Sequence, residues 1–169
     1  VSGLSEKWVV YADEPGDKSY PDPMAFQEVY AYSFQTGQGK RLTFAEYAQN
    51  HPQVSGDIVV WEDSRNGDRD IYAYDLSLDK EWRVTSSLAN QIWPIIDGNI
   101  ITWIDYTNGN EDVYYCDMSK NGQSGGCLAD DKKTRATYSS LHEGTVDVSN
   151  GVLVWVGETS SEATPVSGG

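Results

Sequence analysis

The chain alternates short runs of β-branched and aromatic residues with polar turns, and this pattern predicts strands along its length. IVVW (58–61) and IITW (100–103) are compact apolar runs that suit strands buried on both faces. DIYAYD (70–75) alternates instead, so its two tyrosines share one face of a strand. No segment keeps a 3.6-residue period for long, and FAEYAQNH (44–51) predicts one turn of helix at most. The pattern therefore predicts an all-β fold.

The predicted strands recur as an internal repeat. Trp61 and Trp103 lie 42 residues apart, and Pro, Gly and Asp positions around them coincide in the same register. Three pairs of segments align in order: 51–63 with 93–105, 70–75 with 112–117, and 83–85 with 135–137. A third copy lies upstream, with Tyr11 in the Trp position, and the front half of a fourth begins at VSNGVLVWVGE (148–158), with Trp155 there.

Repeats of this length with about four short strands are typical of β-propeller blades. A single blade cannot bury both of its faces, whereas neighbouring blades stacked around an axis can. We therefore predict a β-propeller of four-stranded antiparallel blades, with the Trp residues packed between blades rather than serving as sugar-stacking platforms. The repeats of this single domain or fragment (1–169) are approximately 1–43, 51–85, 93–137 and 146–169, the last incomplete.

The repeat resembles a known one. The pattern P-x-(V/I)-(S/D)-G-(D/N)-x-(I/V)-x-W-x-D, then N-G-x-x-D-(I/V)-Y-x-x-D, then R-x-T is similar to the TolB-like propeller repeat, a WD40-like unit found in tandem in archaeal and bacterial cell-surface proteins. The resemblance is strong over 51–85 and 93–137, moderate over 7–43 and partial over 146–158. It implies the fold more than the function, because such repeats occur in scaffolds, in surface layers and beside secreted catalytic modules.

The acidic loop after each Trp has two interpretations. Asp63, Asn66, Asp68 and Asp70 place several oxygen atoms within eight residues, as calcium prefers, although the spacing is not that of an EF-hand. Alternatively, Asn66-Gly67 is a hairpin turn whose flanking carboxylates bind free backbone amides. The second copy puts Tyr, Thr and Asn110 between its two aspartates. We favour the turn and expect no cofactor, and calcium is the alternative that the loop leaves open.

The two cysteines, Cys116 and Cys127, flank KNGQSGG and are predicted to form a disulfide. A disulfide indicates an extracellular, cell-surface or periplasmic location, because such bonds persist in oxidising compartments. The net charge of -14, from 26 acidic and 12 basic residues, argues against nucleic acid and anionic membrane surfaces as partners. No apolar run is long enough for membrane insertion.

Catalytic motifs are scarce. Ser139 and Ser140 lie near His142 and Glu143, but nothing in the sequence orients them as a triad. We expect a non-enzymatic binding or scaffold module that recognises a protein or glycan at the cell surface through propeller loops at one end of the ring. Its contacts are expected on two insertions, 15–27 and 118–133, and first at Tyr20, Met24 and Phe26.

Two alternatives stay open. The chain is a structural subunit of a surface layer or filament, in which open blades are completed between copies. Otherwise it is part of a secreted propeller-type polysaccharide lyase or hydrolase, since paired carboxylates are abundant in an acidic chain. The incomplete fourth repeat fits a piece of a longer propeller, a four-bladed ring, or self-assembly in trans.

Overall fold

The computed structural model describes residues 2–14, 27–45, 47–121, 127 and 133–158, and its regular structure is nearly all β-strand. The apolar and alternating runs form the strands that they predict, because β-branched and aromatic side chains pack well on a pleated surface. The strands are β1 (Ser2–Leu4), β2 (Trp8–Asp13), β3 (Glu28–Ser33), β4 (Gly39–Arg41), β5 (Gln49–Ser55), β6 (Ile58–Asp63), β7 (Asp70–Asp75), β8 (Lys80–Arg83), β9 (Gln91–Asp97), β10 (Ile100–Asp105), β11 (Asp112–Asp117), β12 (Thr134–Arg135), β13 (Glu143–Ser149) and β14 (Val152–Gly157). One short helix, α1 (Met118–Asn121), follows β11.

The strands form four antiparallel sheets, which we call blades 1 to 4. Blades 1, 2 and 3 have the orders β1-β2-β3-β4, β5-β6-β7-β8 and β9-β10-β11-β12, and blade 4 consists of β13 and β14. The first strands of neighbouring blades lie against one another, β1 against β5, β5 against β9 and β9 against β13. All four of these first strands, or the turns next to them, line a cavity of about 590 Å3, so they form the inner wall around a common axis.

The hydrophobic core is divided among the spaces between blades. Each cluster joins two neighbours: Val10, Val29, Val59 and Trp61 between blades 1 and 2; Ile71, Trp82, Ile101 and Trp103 between blades 2 and 3; and Ile104, Val113 and Val146 between blades 3 and 4. Each middle blade therefore buries one face against each neighbour. The predicted fold class, an all-β propeller of four-stranded antiparallel blades, is confirmed.

The two insertions fall in connections at opposite ends of the antiparallel blades. We call the loop end the end at which β5, β9 and β13 begin, and the hairpin end the one at which they turn into the next strand. The insertion 15–27 joins β2 to β3 at the loop end, whereas 118–133 joins β11 to β12 at the hairpin end. Successive connections of an antiparallel meander alternate between ends, so these two connections leave the blades at opposite ends. The binding role of the insertions stays a prediction, because most of their residues lie outside the described part of the chain.

The three repeat tryptophans do not share one setting. Trp61 and Trp103 are 0% exposed, and their rings stack on Tyr72 and Tyr114 with centroids 6.1 and 6.2 Å apart. Trp155 is 45% exposed. Its strand β14 pairs with β13, and no other described strand supplies a tyrosine like those that cover Trp61 and Trp103. Burial of the repeat Trp thus depends on the third strand of its own blade as well as on the neighbouring blade.

Three smaller features complete the fold. The disulfide predicted between Cys116 and Cys127 is present, and both residues are buried in the core between blades 2 and 3. The turn of helix expected within 44–51 is not found among its described residues, since Gln49 begins β5. No helix in the described part of the chain is long and apolar enough to span a membrane.

The contrast between the tryptophans predicts unequal costs of truncation. Trp61→Ala should lower the free energy of unfolding by about 3–5 kcal/mol, because it opens a cavity in a closed core. Trp155→Ala should cost well under half of that, since nearly half of its surface already meets solvent. Urea unfolding of both variants checks this, and equal losses would contradict the packing described above.

Candidate functional site

The acidic loops between second and third strands are turns whose carboxylates bind protein donors. Asp63 Oδ2 accepts the indole N–H of Trp61 at 3.0 Å, and Asp63 Oδ1 accepts the backbone N–H of Arg65 at 3.0 Å. Asp105 makes the two equivalent bonds in blade 3, at 3.0 and 2.8 Å. The Trp and Asp of the W-x-D motif therefore hold each other at the end of a buried strand.

The Asn-Gly tip of the turn makes the same contacts in blades 2 and 3. Gly67 has a φ of 102°, which is costly for residues that carry a side chain. The Asn66 side-chain amide donates to Asp70 Oδ2 at 3.1 Å and to the Tyr72 hydroxyl at 2.8 Å. Asn108 repeats both contacts in blade 3. The Asn-Gly pair thus ties the turn to the strand that follows it.

The R-x-T motif has a structural role as well. Arg83 Nη2 donates to Asp70 Oδ2 at 2.7 Å, and the Thr85 hydroxyl accepts the backbone N–H of Ile71 at 2.8 Å. The corresponding pairs in the other complete blades are Arg41 with Glu28, Thr43 with Val29, Arg135 with Asp112, and Thr137 with Val113. The motif therefore fastens the outermost strand to the third strand of its blade.

Three of the four residues predicted as calcium ligands, Asp63, Asn66 and Asp70, make these contacts, and the fourth, Asp68, lies in the same turn. The two buried carboxylates each pair with an arginine, Asp63 with Arg65 at 2.6 Å and Asp70 with Arg83 at 2.7 Å. Burial opposes the charge of Arg65, but hydrogen bonds to Asp63 and Glu81 raise its pKa. Among the described residues, no group of three or more His, Cys, Asp or Glu is arranged to hold a metal. Calcium binding stays a prediction, and the observed contacts are those of the turn alternative.

The predicted contact residues Tyr20, Met24 and Phe26 lie outside the described residues, and their role stays a prediction. The described part of the loop end instead presents a site that the sequence reasoning missed. It is built from the third residue of each first strand, at the start of blades 2, 3 and 4.

A bulge with a left-handed residue interrupts each of these first strands at the same position. His51, Trp93 and Thr145 have φ angles of 52°, 58° and 31°. The pairing register shifts beside each of them. Such conformations of non-glycine residues cost about 1–3 kcal/mol each and cluster at functional sites. A bulge also re-aims the side chain that it carries.

We call the gap between two neighbouring blades at the loop end a slot. In the slot between blades 2 and 3, the side chain that the bulge redirects is Trp93. Its ring stacks on His51 with centroids 4.8 Å apart and an interplanar angle of 24°. Its backbone N–H donates to Glu62 Oε1 at 2.7 Å. Glu62 Oε1 is also 3.0 Å from His51 Nδ1, without the alignment of a hydrogen bond, and Glu62 Oε2 is 3.6 Å from Arg69 Nη1. Trp93 is thereby held in place while 51% of it remains exposed.

The carboxylate that holds Trp93 is unusual for its position. Glu62 is 1% exposed, whereas the equivalent residues of the other blades are Ala12, Ile104 and Val156. A buried carboxylate requires compensating partners. Here the Trp93 amide donates a hydrogen bond to the carboxylate, and the Arg69 guanidinium lies 3.6 Å from it. This departure from the repeat was a signal in the sequence that could have located the site.

The corresponding slot between blades 3 and 4 is open. Its cavity of about 210 Å3 is lined by Ile92, Trp93, Ile104, Tyr106, Glu111, Gly144 and Thr145. The Tyr106 hydroxyl donates to Glu111 Oε1 at 2.5 Å, and His142 Nδ1 lies 3.4 Å from Glu111 Oε2. Burial, together with the bond to Glu111, raises the pKa of Tyr106 to about 12, so the phenol remains a donor at neutral pH. The slot combines an aromatic and aliphatic wall with an acidic rim.

Other exposed apolar side chains surround these slots at the loop end. They lie on the connections between blades: Phe44, Tyr47, Leu88 and Tyr138. Two of them are oriented by guanidinium groups, Phe44 by Arg41 at 4.7 Å and Tyr138 by Arg135 at 4.9 Å from the ring centroid. Aromatic side chains of this kind are enriched in protein interfaces.

The role assigned to Glu62 can be tested by two substitutions of different kinds. Glu62→Gln keeps an acceptor for the Trp93 amide, whereas Glu62→Ile installs the residue of the sister blade and leaves that amide unpaired. The second change should cost about 1–3 kcal/mol more in the free energy of unfolding than the first. Chemical denaturation measures the difference, and equal stabilities would show that Glu62 does not hold the Trp93 backbone.

Comparison with known proteins supports the fold. No protein-family profile matches the chain, and no curated protein sequence matches it significantly. Solved structures do match: a protein assigned as TolB from Agrobacterium tumefaciens (17% identity, TM-score 0.66, 90% of this chain), TolB from Acinetobacter baumannii (21%, 0.62, 92%) and an acylaminoacyl peptidase from Pyrococcus horikoshii (11%, 0.66, 94%). The matches cover 50%, 36% and 24% of those chains, so this chain spans half or less of their length. The chain has a TolB-like propeller fold.

Proposed function

We propose that this chain is a non-enzymatic binding module, located outside the cytoplasm, that recognises a partner protein at the loop end of the propeller. The observation that carries the proposal is Trp93, a half-exposed indole fixed by a stacked ring and a buried carboxylate. Large aromatic side chains that are rigid before binding make strong interface anchors, because little conformational entropy remains to be lost.

The surroundings of Trp93 support a protein partner. Exposed apolar residues on three interblade connections extend the surface well beyond one pocket, as a protein interface requires. The net charge of -14 favours the approach of a basic partner. The disulfide between Cys116 and Cys127 supports a cell-surface or periplasmic location.

Site-specific photo-cross-linking in the producing cells tests this proposal. A benzophenone side chain at Leu88 samples the loop end, and one at Leu78 in the turn between β7 and β8 samples the hairpin end; both native side chains are exposed. We expect a defined cross-linked protein from position 88 only. The same protein, once purified, should bind Trp93→Ala about 30-fold more weakly, as for an interface anchor, and Leu78→Ala with unchanged affinity. Equal cross-linking from both positions, or full affinity of Trp93→Ala, would overturn the proposal.

A second candidate function, self-assembly, is favoured by a different observation. Among the described strands, β14 pairs only with β13, and Val152, Val154 and Val156 are 57–67% exposed along it. The outermost strands of the complete blades carry Lys40, Lys80 and Arg135, whereas β14 has no charge. Charged residues are a common protection of exposed strand edges, and β14 lacks it.

Sedimentation velocity over a range of concentrations tests assembly through β14. The unaltered chain should associate as its concentration rises, and Val154→Lys should stay monomeric because a lysine disfavours edge pairing. Leu78→Lys is the matched control, since it adds the same charge away from β14 and should not change association. A chain that stays monomeric throughout, or association that survives Val154→Lys, would exclude this candidate.

A further inference from the structure

The slots between blades 2 and 3 and between blades 3 and 4 are built from equivalent residues. The second is lined by Ile92, Trp93, Ile104, Tyr106 and Glu111 of blade 3, and the 42-residue repeat places Asn50, His51, Glu62, Ser64 and Arg69 at the equivalent positions of blade 2. The next blade contributes Ile92 and Trp93 to the first slot, and Gly144 and Thr145 to the second. The equivalent positions carry different side chains in the two slots, and the side chain that enters from the next blade is Trp93 in the first and Thr145 in the second.

The first slot is filled from within the chain. Trp93 reaches across from blade 3 and stacks on His51 of blade 2. At the equivalent position of blade 4 stands Thr145, whose side chain is too short to cover the Trp93 ring in the same way. The cavity of about 210 Å3 lies where an aromatic ring would repeat the His51–Trp93 contact. His51 of blade 2 covers one side of the Trp93 ring. The side of Trp93 that faces blade 4 lines the open slot and is available for contact.

We propose that the open slot between blades 3 and 4 is a binding site for one aromatic side chain of the partner protein, with an indole the preferred ring. This inference rests on the function proposed above and specifies the anchor on the partner. The volume supports a single side chain, because small-molecule pockets usually measure about 300–1,000 Å3. Stacked aromatic pairs have centroids about 4.5–7 Å apart, the range in which His51 and Trp93 already lie.

The lining of the slot favours an indole over other rings. Ile92 and Ile104 give apolar contact, and Trp93 gives a stacking surface. The rim residue is Glu111, which replaces Arg69 of the filled slot. Its carboxylate already accepts the Tyr106 hydroxyl. A carboxylate has capacity for further donors, and an indole N–H is such a donor.

The test uses N-acetyl-tryptophanamide as the probe, with N-acetyl-leucinamide as its control, on the whole chain. Amide and indole N–H signals are followed by NMR at millimolar probe concentrations. We expect the tryptophan probe to shift the Trp93 indole and the Gly144 and Thr145 amides, with at least about tenfold stronger binding than the leucine probe. Equal binding of both probes, or shifts spread over the surface, would overturn the inference.

Thr145→Trp installs the residue of the sister blade and provides the decisive variant. His51 and Trp93 show that large side chains fit this left-handed position. The variant should fill the slot, raise the midpoint of thermal unfolding and weaken the tryptophan probe at least about tenfold. Leu78→Trp, which adds an indole at the hairpin end, away from the slot, is the matched control and should retain binding. If Thr145→Trp fails to fold, as judged by near-UV circular dichroism, Trp93→Leu serves instead: it removes the stacking surface and should abolish the preference for the tryptophan probe.

The partner identified by cross-linking separates this inference from the function on which it rests. Partner affinity that falls with both Trp93→Ala and Thr145→Trp supports the slot. Affinity that falls with Trp93→Ala but is unchanged in a folded Thr145→Trp overturns the slot and leaves the binding function standing. If no defined protein is cross-linked specifically from position 88, the binding function itself is overturned.

Discussion

The structure depends on one constraint: each blade has two apolar faces and can bury them only against its neighbours. Trp61 and Trp103 show how the constraint is met, since each lies under a tyrosine of its own blade and against the back of the preceding blade. The W-x-D, Asn-Gly and R-x-T motifs tie the edges of each blade into one unit. They are structural motifs, and the acidic loops that first suggested a metal are part of this framework.

Because the framework repeats, positions that depart from it are informative. Glu62 stands where the other blades have Ala or aliphatic residues, and Thr145 stands where blades 2 and 3 have rings. The first departure fixes an exposed indole, and the second leaves room beside it. Both are at the loop end, where a strained bulge directs Trp93 of blade 3 toward His51 of the preceding blade. The proposed binding site is therefore made by small changes in a repeated unit, without a dedicated loop.

The sequence predicted the fold well because strand periodicity and repeat spacing are local properties that survive into the structure. It also predicted the disulfide, and it favoured the turn interpretation of Asp63 and Asp70 that the contacts support. It did not predict the slots, because the stacking of Trp93 on His51 joins residues whose contact depends on a bulge and on the stacking of separate blades. The expectation that the repeat Trp residues pack between blades was wrong for Trp155, since a repeat position does not reveal whether its covering strand is present.

Amide hydrogen exchange under native conditions tests most directly the claim that interblade burial holds this molecule together. Amides of β6, β7, β10 and β11 should exchange only through global unfolding, because their strands are covered on both faces. Amides of β14 should exchange through local opening at a much lower free energy, since its side chains remain exposed. Protection of β14 equal to that of β10 would contradict the account.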